Sequence, residues 1–127
     1  MWIRYQPNPI NDKVGDCVIR ALSLVLNKSW DDTYIELALY GFILKNMPSG
    51  NSVWDALLRD HNYIRKVIPD QCSDGRCYTV KDFCIDNPVG VFLLGTGSHA
   101  IAVKDGNYMD AWDSGDEIPI YYYCKEE

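Results

Sequence analysis

Apolar positions recur at helical spacing through the first half of this chain, then alternate or run together through the second, so helices are predicted first and strands after. Trp2 to Tyr5 is rich in β-forming residues and predicts a short strand or extended arm, ended by Gln6-Pro7-Asn8-Pro9. Val18, Ala21, Leu22 and Val25 then mark one face of a helix reaching Leu26, with Gly15 as the turn into it and Asp16 at or near its N-cap. Asn27-Lys28-Ser29 closes that helix. Ser29 or Asp31 opens a second, ending near Lys45, in which Tyr34, Ile35, Ala38, Leu39 and Phe42 form the apolar face. After the loop Met47-Pro48-Ser49-Gly50, Asn51 or Ser52 caps a third helix carrying Val53, Trp54, Leu57 and Leu58.

From Tyr63 the pattern changes. Tyr63 to Ile68 reads as a strand, and Pro69 with the run between Cys72 and Cys77 reads as loop. Thr79 caps a short fourth helix over Val80 to Ile85, stopped before Asn87-Pro88. Gly90 to Leu94 is short enough for a buried strand, and Gly95-Thr96-Gly97-Ser98 breaks it immediately before His99. Ala100 to Lys104 and Asn107 to Trp112, joined by Asp105-Gly106, predict a hairpin. Ile118 to Cys124 supplies a further strand, with Pro119 marking an edge or the strand's first residues. The order predicts an α+β fold, N-terminal helices packed on a C-terminal antiparallel β-sheet, with a cleft between the two layers. At 127 residues, without a repeat or linker, positions 1–127 make one domain.

Composition narrows the partners. The apolar and charged fractions are those of a globular protein, and neither a signal peptide nor an apolar run of membrane-spanning length is present, so a cytoplasmic location with no membrane partner is expected. A net charge of -6 opposes binding to nucleic acid, and the pair Arg65 and Lys66 does not make a basic patch. Five scattered cysteines do not resemble a secreted disulfide scaffold, so reduced thiols are expected. Cys72 and Cys77 are spaced as half of a zinc site, but no second pair of Cys or His stands at a matching distance. No metal or other cofactor is implied.

The candidate chemistry begins at Cys17. A thiol in the first turn of a helix feels the positive end of the backbone dipoles, which favours thiolate, although a buried cysteine is also an ordinary core residue. A base must come from one of two histidines. His61 lies in the polar run Arg59-Asp60-His61-Asn62 and reads as a solvated helix end, which leaves His99. If Asp105 and Gly106 are the two loop residues, Lys104 pairs with Asn107, Ile101 with Asp110 and His99 with Trp112, so His99, Asp110 and Trp112 share a face. A three-residue loop would instead bring Asp113 to that face. An imidazole held by a carboxylate keeps one tautomer and gains basicity, which suits a Cys-His-Asp trio for nucleophilic catalysis.

The stretches GDCVIRALS, GSHAIAV and HAIAVKDGNYMDAWDSG resemble the papain-like cysteine peptidases, in which a cysteine opens a long helix and a histidine opens a strand in the second half. The resemblance implies a thiol-dependent hydrolase, a cysteine peptidase or isopeptidase, acting on a peptide or protein substrate. It gives Asp110 the place of the orienting Asn or Asp, and Trp112 that of the tryptophan shielding it. Asn11, six residues before Cys17, takes the place of an oxyanion-hole glutamine and is one methylene shorter. In size the chain is similar to peptidase domains that process bacteriocin leaders, and in GDCVIRALS and GSHAIAV it resembles small papain-like proteins of bacteriophage and bacterial genes, which implies a bacterial cell or a phage-infected host cell. Trp30 to Cys84 carries no marker of the family. A compact cell-wall cysteine amidase or endopeptidase shares the Gly-Asp-Cys start, and a catalytically idle papain-like fold used for binding, such as a phage protein engaging a host factor, is the alternative outside enzymology.

Overall fold

The computed structural model describes residues 1–10, 13–69, 72–73 and 75–126. Among them the chain forms β1 (Trp2–Arg4), α1 (Cys17–Val25), α2 (Trp30–Leu44), α3 (Asn51–Asp60), β2 (Tyr63–Val67), β3 (Cys72–Ser73), β4 (Arg76–Cys77), α4 (Val80–Asp86), β5 (Val91–Gly95), β6 (Ala100–Lys104), β7 (Asn107–Asp110) and β8 (Tyr121–Lys125). This is an α+β fold. Its six-stranded sheet has the order β1-β7-β6-β5-β8-β2, and β3 pairs with β4 in a separate hairpin.

Period-two alternation in the central strands feeds two cores, one on each face of the sheet. Leu93, Ala100, Ala102, Tyr121 and Tyr123 point to the face covered by α1 and α3, where Leu22, Val53, Leu57 and Leu58 are buried. Leu94, Ile101, Val103 and Tyr108 point to the other face and meet Val80 and Phe83 of α4. The fourth helix forms for the reason its sequence gives: Thr79 accepts from the Asp82 amide and Asp82 accepts from the Thr79 amide, a reciprocal cap. The hydrophobic layer on each face holds β5 and β6, and with them the segment that carries His99, between two packed layers.

Several expectations are corrected. The sheet is mixed rather than antiparallel, because β1 enters beside β7 in parallel, pairing Trp2 with Tyr108 and Arg4 with Asp110. β8 lies between β5 and β2 rather than at an edge, and Pro119 precedes it, where its missing N–H is not needed by the ladder. The α3 N-cap is Gly50, with Asn51 and Ser52 already helical. On α2 the buried residues are Thr33, Leu37 and Gly41, whereas Tyr34, Ile35, Leu39 and Phe42 face solvent. Apolar residues surround that helix, so periodicity did not single out the face that packs. Gly41 marks it instead, since a Cβ there would come 2.8 Å from the Asn46 carbonyl oxygen where the chain folds back. Cys72 and Cys77, expected reduced, are joined in a disulfide across the β3–β4 hairpin, whose register makes them partners; Cys17, Cys84 and Cys124 are free.

Gly95 shows how tightly the sheet packs beside the site. It pairs with Tyr121, whose ring lies over it, and a Cβ at Gly95 would stand 2.1 Å from Tyr121 Cζ. Gly95→Ala is therefore expected to cost about 1–3 kcal/mol through overpacking, measured as a lower urea midpoint with an unchanged slope. An unshifted midpoint would show that the Tyr121 ring swings aside freely. Among the described residues no helix is long and apolar enough to cross a membrane.

Candidate active site

The two-residue turn expected at Asp105-Gly106 forms, with positive φ at both residues (50° and 77°), as a type I′ hairpin requires. Its register pairs Lys104 with Asn107, Val103 with Tyr108 and Ala102 with Met109. Asp110 therefore ends β7 on the side of His99. His99 Nε2 meets Asp110 Oδ2 at 2.6 Å, which leaves Nδ1 for the thiol. Asp113, the alternative orienter, is engaged elsewhere: it accepts from the Tyr108 hydroxyl and from the Gly115 amide at 3.1 Å. Although Trp112 lies beyond the end of β7 instead of within a strand, it stacks on His99 with ring centroids 4.5 Å apart and planes at 24°. His61, set aside on sequence grounds, caps α3 and meets Glu36 at 2.7 Å. Asn11 lies outside the described residues.

Cys17 opens α1 as anticipated, with Asp16 as N-cap, but the Asp16 side chain does not cap the helix. Its carboxylate turns inward, where Oδ1 accepts from Arg20 Nη1 at 2.6 Å and Oδ2 accepts from Trp30 Nε1 at 2.8 Å. The other end of the Arg20 fork donates to Asp110 Oδ1 at 2.9 Å. Asp110 also accepts from the Ser114 hydroxyl at 2.7 Å and from the Ala111 amide at 2.8 Å. Asp16, Arg20, Asp110 and Ser114 are each at most 4% exposed. Sequence reasoning missed Arg20 and Ser114. The available signal was a single charge on an otherwise uncharged helix, four residues after Asp16.

The network sets the protonation states. Burial pushes Asp110 up, but the His99 and Ser114 hydrogen bonds and the positive charge of His99 outweigh it and hold the carboxyl below its usual range. Burial works against a charged His99, yet its bonds to Asp110 and Cys17 and their negative charges raise it to about 9. Burial pushes the Cys17 thiol up, while hydrogen bonds from His99 and the Ala100 amide, with the charges of His99 and Arg20, bring it below the ordinary thiol value. Cys84 gives the contrast: buried without such partners, it rises to about 11. The arrangement favours a thiolate beside an imidazolium.

With a folded value raised above the ordinary 6.5, the stability His99 contributes is fully present below about pH 6.5 and is lost as pH rises through about 9. The stability gap between the wild type and His99→Gln is therefore expected to narrow from pH 6 to pH 10 in urea titrations. A constant gap would indicate an imidazole neutral throughout.

A cleft of about 370 Å³ opens over this group. Cys17, Gly97, Ser98 and His99 line it, together with Tyr34, Leu37, Pro48, Trp54 and Tyr121. Gly97 has φ 96°, a left-handed conformation that lets bare backbone line the approach to His99. No group of three or more His, Cys, Asp or Glu side chains able to hold a metal occurs among the described residues. No protein-family profile, curated protein or solved structure matches this chain.

Proposed function

We propose that this chain is a thiol-dependent hydrolase of papain-like type, cleaving peptide or isopeptide bonds. One observation carries the reading: His99 bridges Cys17 and Asp110, and Cys17 and His99 both line a cleft, with the cysteine on a helix and the histidine at the mouth of a strand. In the proposed cycle the Cys17 sulfur attacks the substrate carbonyl carbon, and the C=O electron pair moves to oxygen. Collapse of that intermediate breaks the C–N bond, and the departing amine takes the proton from His99. A water then gives its proton to His99 and attacks the thioester, and the thiolate leaves. In this reading the Cys17 amide, at the N-terminus of α1, serves as one oxyanion donor and Asn11, which the family resemblance assigns, as the other. Asp110 fixes the imidazole tautomer, and Trp112 covers the His99 ring.

Iodoacetamide labelling of each free cysteine, followed by mass spectrometry across pH, tests the proposal. Cys17 is expected to react readily below about pH 7. Cys84 is expected to stay unlabelled under the same conditions. A Cys17 that titrates as a free thiol would remove the basis for an activated nucleophile.

A further inference from the structure

The outward face of α2 is unlike the rest of the surface. Ile35, Leu39, Phe42 and Ile43 recur at helical spacing on the side away from the core, and Met47 follows them past the C-cap Lys45; each of the five is 56–71% exposed. The opposite side of the same helix is already buried through Thr33, Leu37 and Gly41. A helix apolar all round belongs under a cover, and a contiguous apolar patch of this kind marks an interaction surface.

The charges along the helix indicate what covers it. Asp31 and Asp32 flank the stripe at its N-terminal end. Lys45 flanks it at the other end, where its Nζ stands 4.0 Å from the Phe42 ring centroid. None of the three has an ion-pair partner among the described residues. We propose that two copies of this chain associate through α2, antiparallel and two-fold about Leu39. Ile35 of each copy then lies against Phe42 and Ile43 of the other, and Asp31 and Asp32 of each stand opposite Lys45 of the other. The surface is self-complementary only in that orientation, as a two-fold contact requires, because parallel pairing would set like charges together. A lipid surface is disfavoured by the acidic flank and the net charge of -6, since interfacial helices carry Lys and Arg beside their apolar face. The proposal does not depend on the hydrolase reading.

Sedimentation velocity of the full chain from about 1 to about 100 μM tests it. The wild type is expected to pass from monomer to dimer within that range, and Leu39→Glu to remain monomeric with an unchanged circular dichroism spectrum. Lys45→Glu is expected to weaken association about tenfold, and the combination Asp31→Lys, Asp32→Lys, Lys45→Glu to restore it by reversing the charges on both flanks. A wild type that is monomeric at about 100 μM overturns the proposal, as does a dimer that survives Leu39→Glu or a charge-reversed variant that stays dissociated. Wild-type monomer that co-sediments with phosphatidylcholine vesicles, and ceases to with Leu39→Glu, would overturn it in favour of a lipid surface.

Discussion

Replacing Arg20 by methionine is expected to lower the free energy of unfolding by about 3–5 kcal/mol at neutral pH, the scale for removing one partner from a buried ionic group. Arg20 is 3% exposed, and its guanidinium bonds two carboxylates at once, Asp16 at 2.6 Å and Asp110 at 2.9 Å. Methionine preserves much of the volume but leaves Asp16 buried without a cation and Asp110 with His99 alone, so desolvation of the carboxylates dominates over lost packing. Lysine is expected to recover part of the loss, since an ammonium restores charge but cannot fork toward two carboxylates as a guanidinium does. The triple replacement Asp16→Asn, Arg20→Met, Asp110→Asn should be less destabilised than Arg20→Met alone, because it removes the orphaned charges. Urea unfolding at pH 7 measures all three, and a loss below about 1 kcal/mol for Arg20→Met would show that solvent reaches the carboxylates.

The second large effect concerns reactivity. His99→Ala is expected to slow alkylation of Cys17 at pH 6 by about tenfold or more. With the imidazole gone, burial still opposes the thiolate, and of the opposing influences only the Ala100 amide and the Arg20 charge remain. A sulfur of higher pKa is intrinsically more nucleophilic, which returns roughly half of each logarithmic loss in thiolate fraction; the loss still wins at a pH well below the ordinary thiol value. Asp113→Asn serves as the control, because that carboxylate bonds Tyr108 and Gly115 rather than His99. If Asp113→Asn slowed Cys17 as much as His99→Ala does, the assignment of Asp110 as orienter would fail.

Local chemistry explains what the sequence made legible. A dipeptide with strong turn preference fixed the β6–β7 register, and the register placed Asp110 on the His99 side without any knowledge of the rest of the fold. Thr79, three residues before Asp82, announced the start of α4 in the same way. Features decided by distant parts of the chain were illegible. The parallel docking of β1 beside β7 depends on where the arm lands, and nothing between Trp2 and Arg4 states a direction. The buried stripe of α2 was hidden because Ile35 and Leu39 are as apolar as Leu37, so hydrophobicity alone could not choose between faces. Arg20 was overlooked because its two partners lie four and ninety positions away, and only the nearer is visible as a helical pair.

The tether on Asp110 has a consequence for the timing of synthesis. Its carbonyl oxygen accepts from the Tyr5 amide at 2.8 Å and from Trp2 Nε1 at 3.1 Å, the latter across 108 positions, so two stretches far apart in the chain are locked together. The sulfur of Cys17 leaves the ribosome many codons ahead of His99 and Asp110, and until they arrive it lacks the imidazole that lowers its pKa. A nascent polypeptide that has not yet reached His99 thus carries Cys17 without its imidazole, and the lowered value arises only once the two stretches have met.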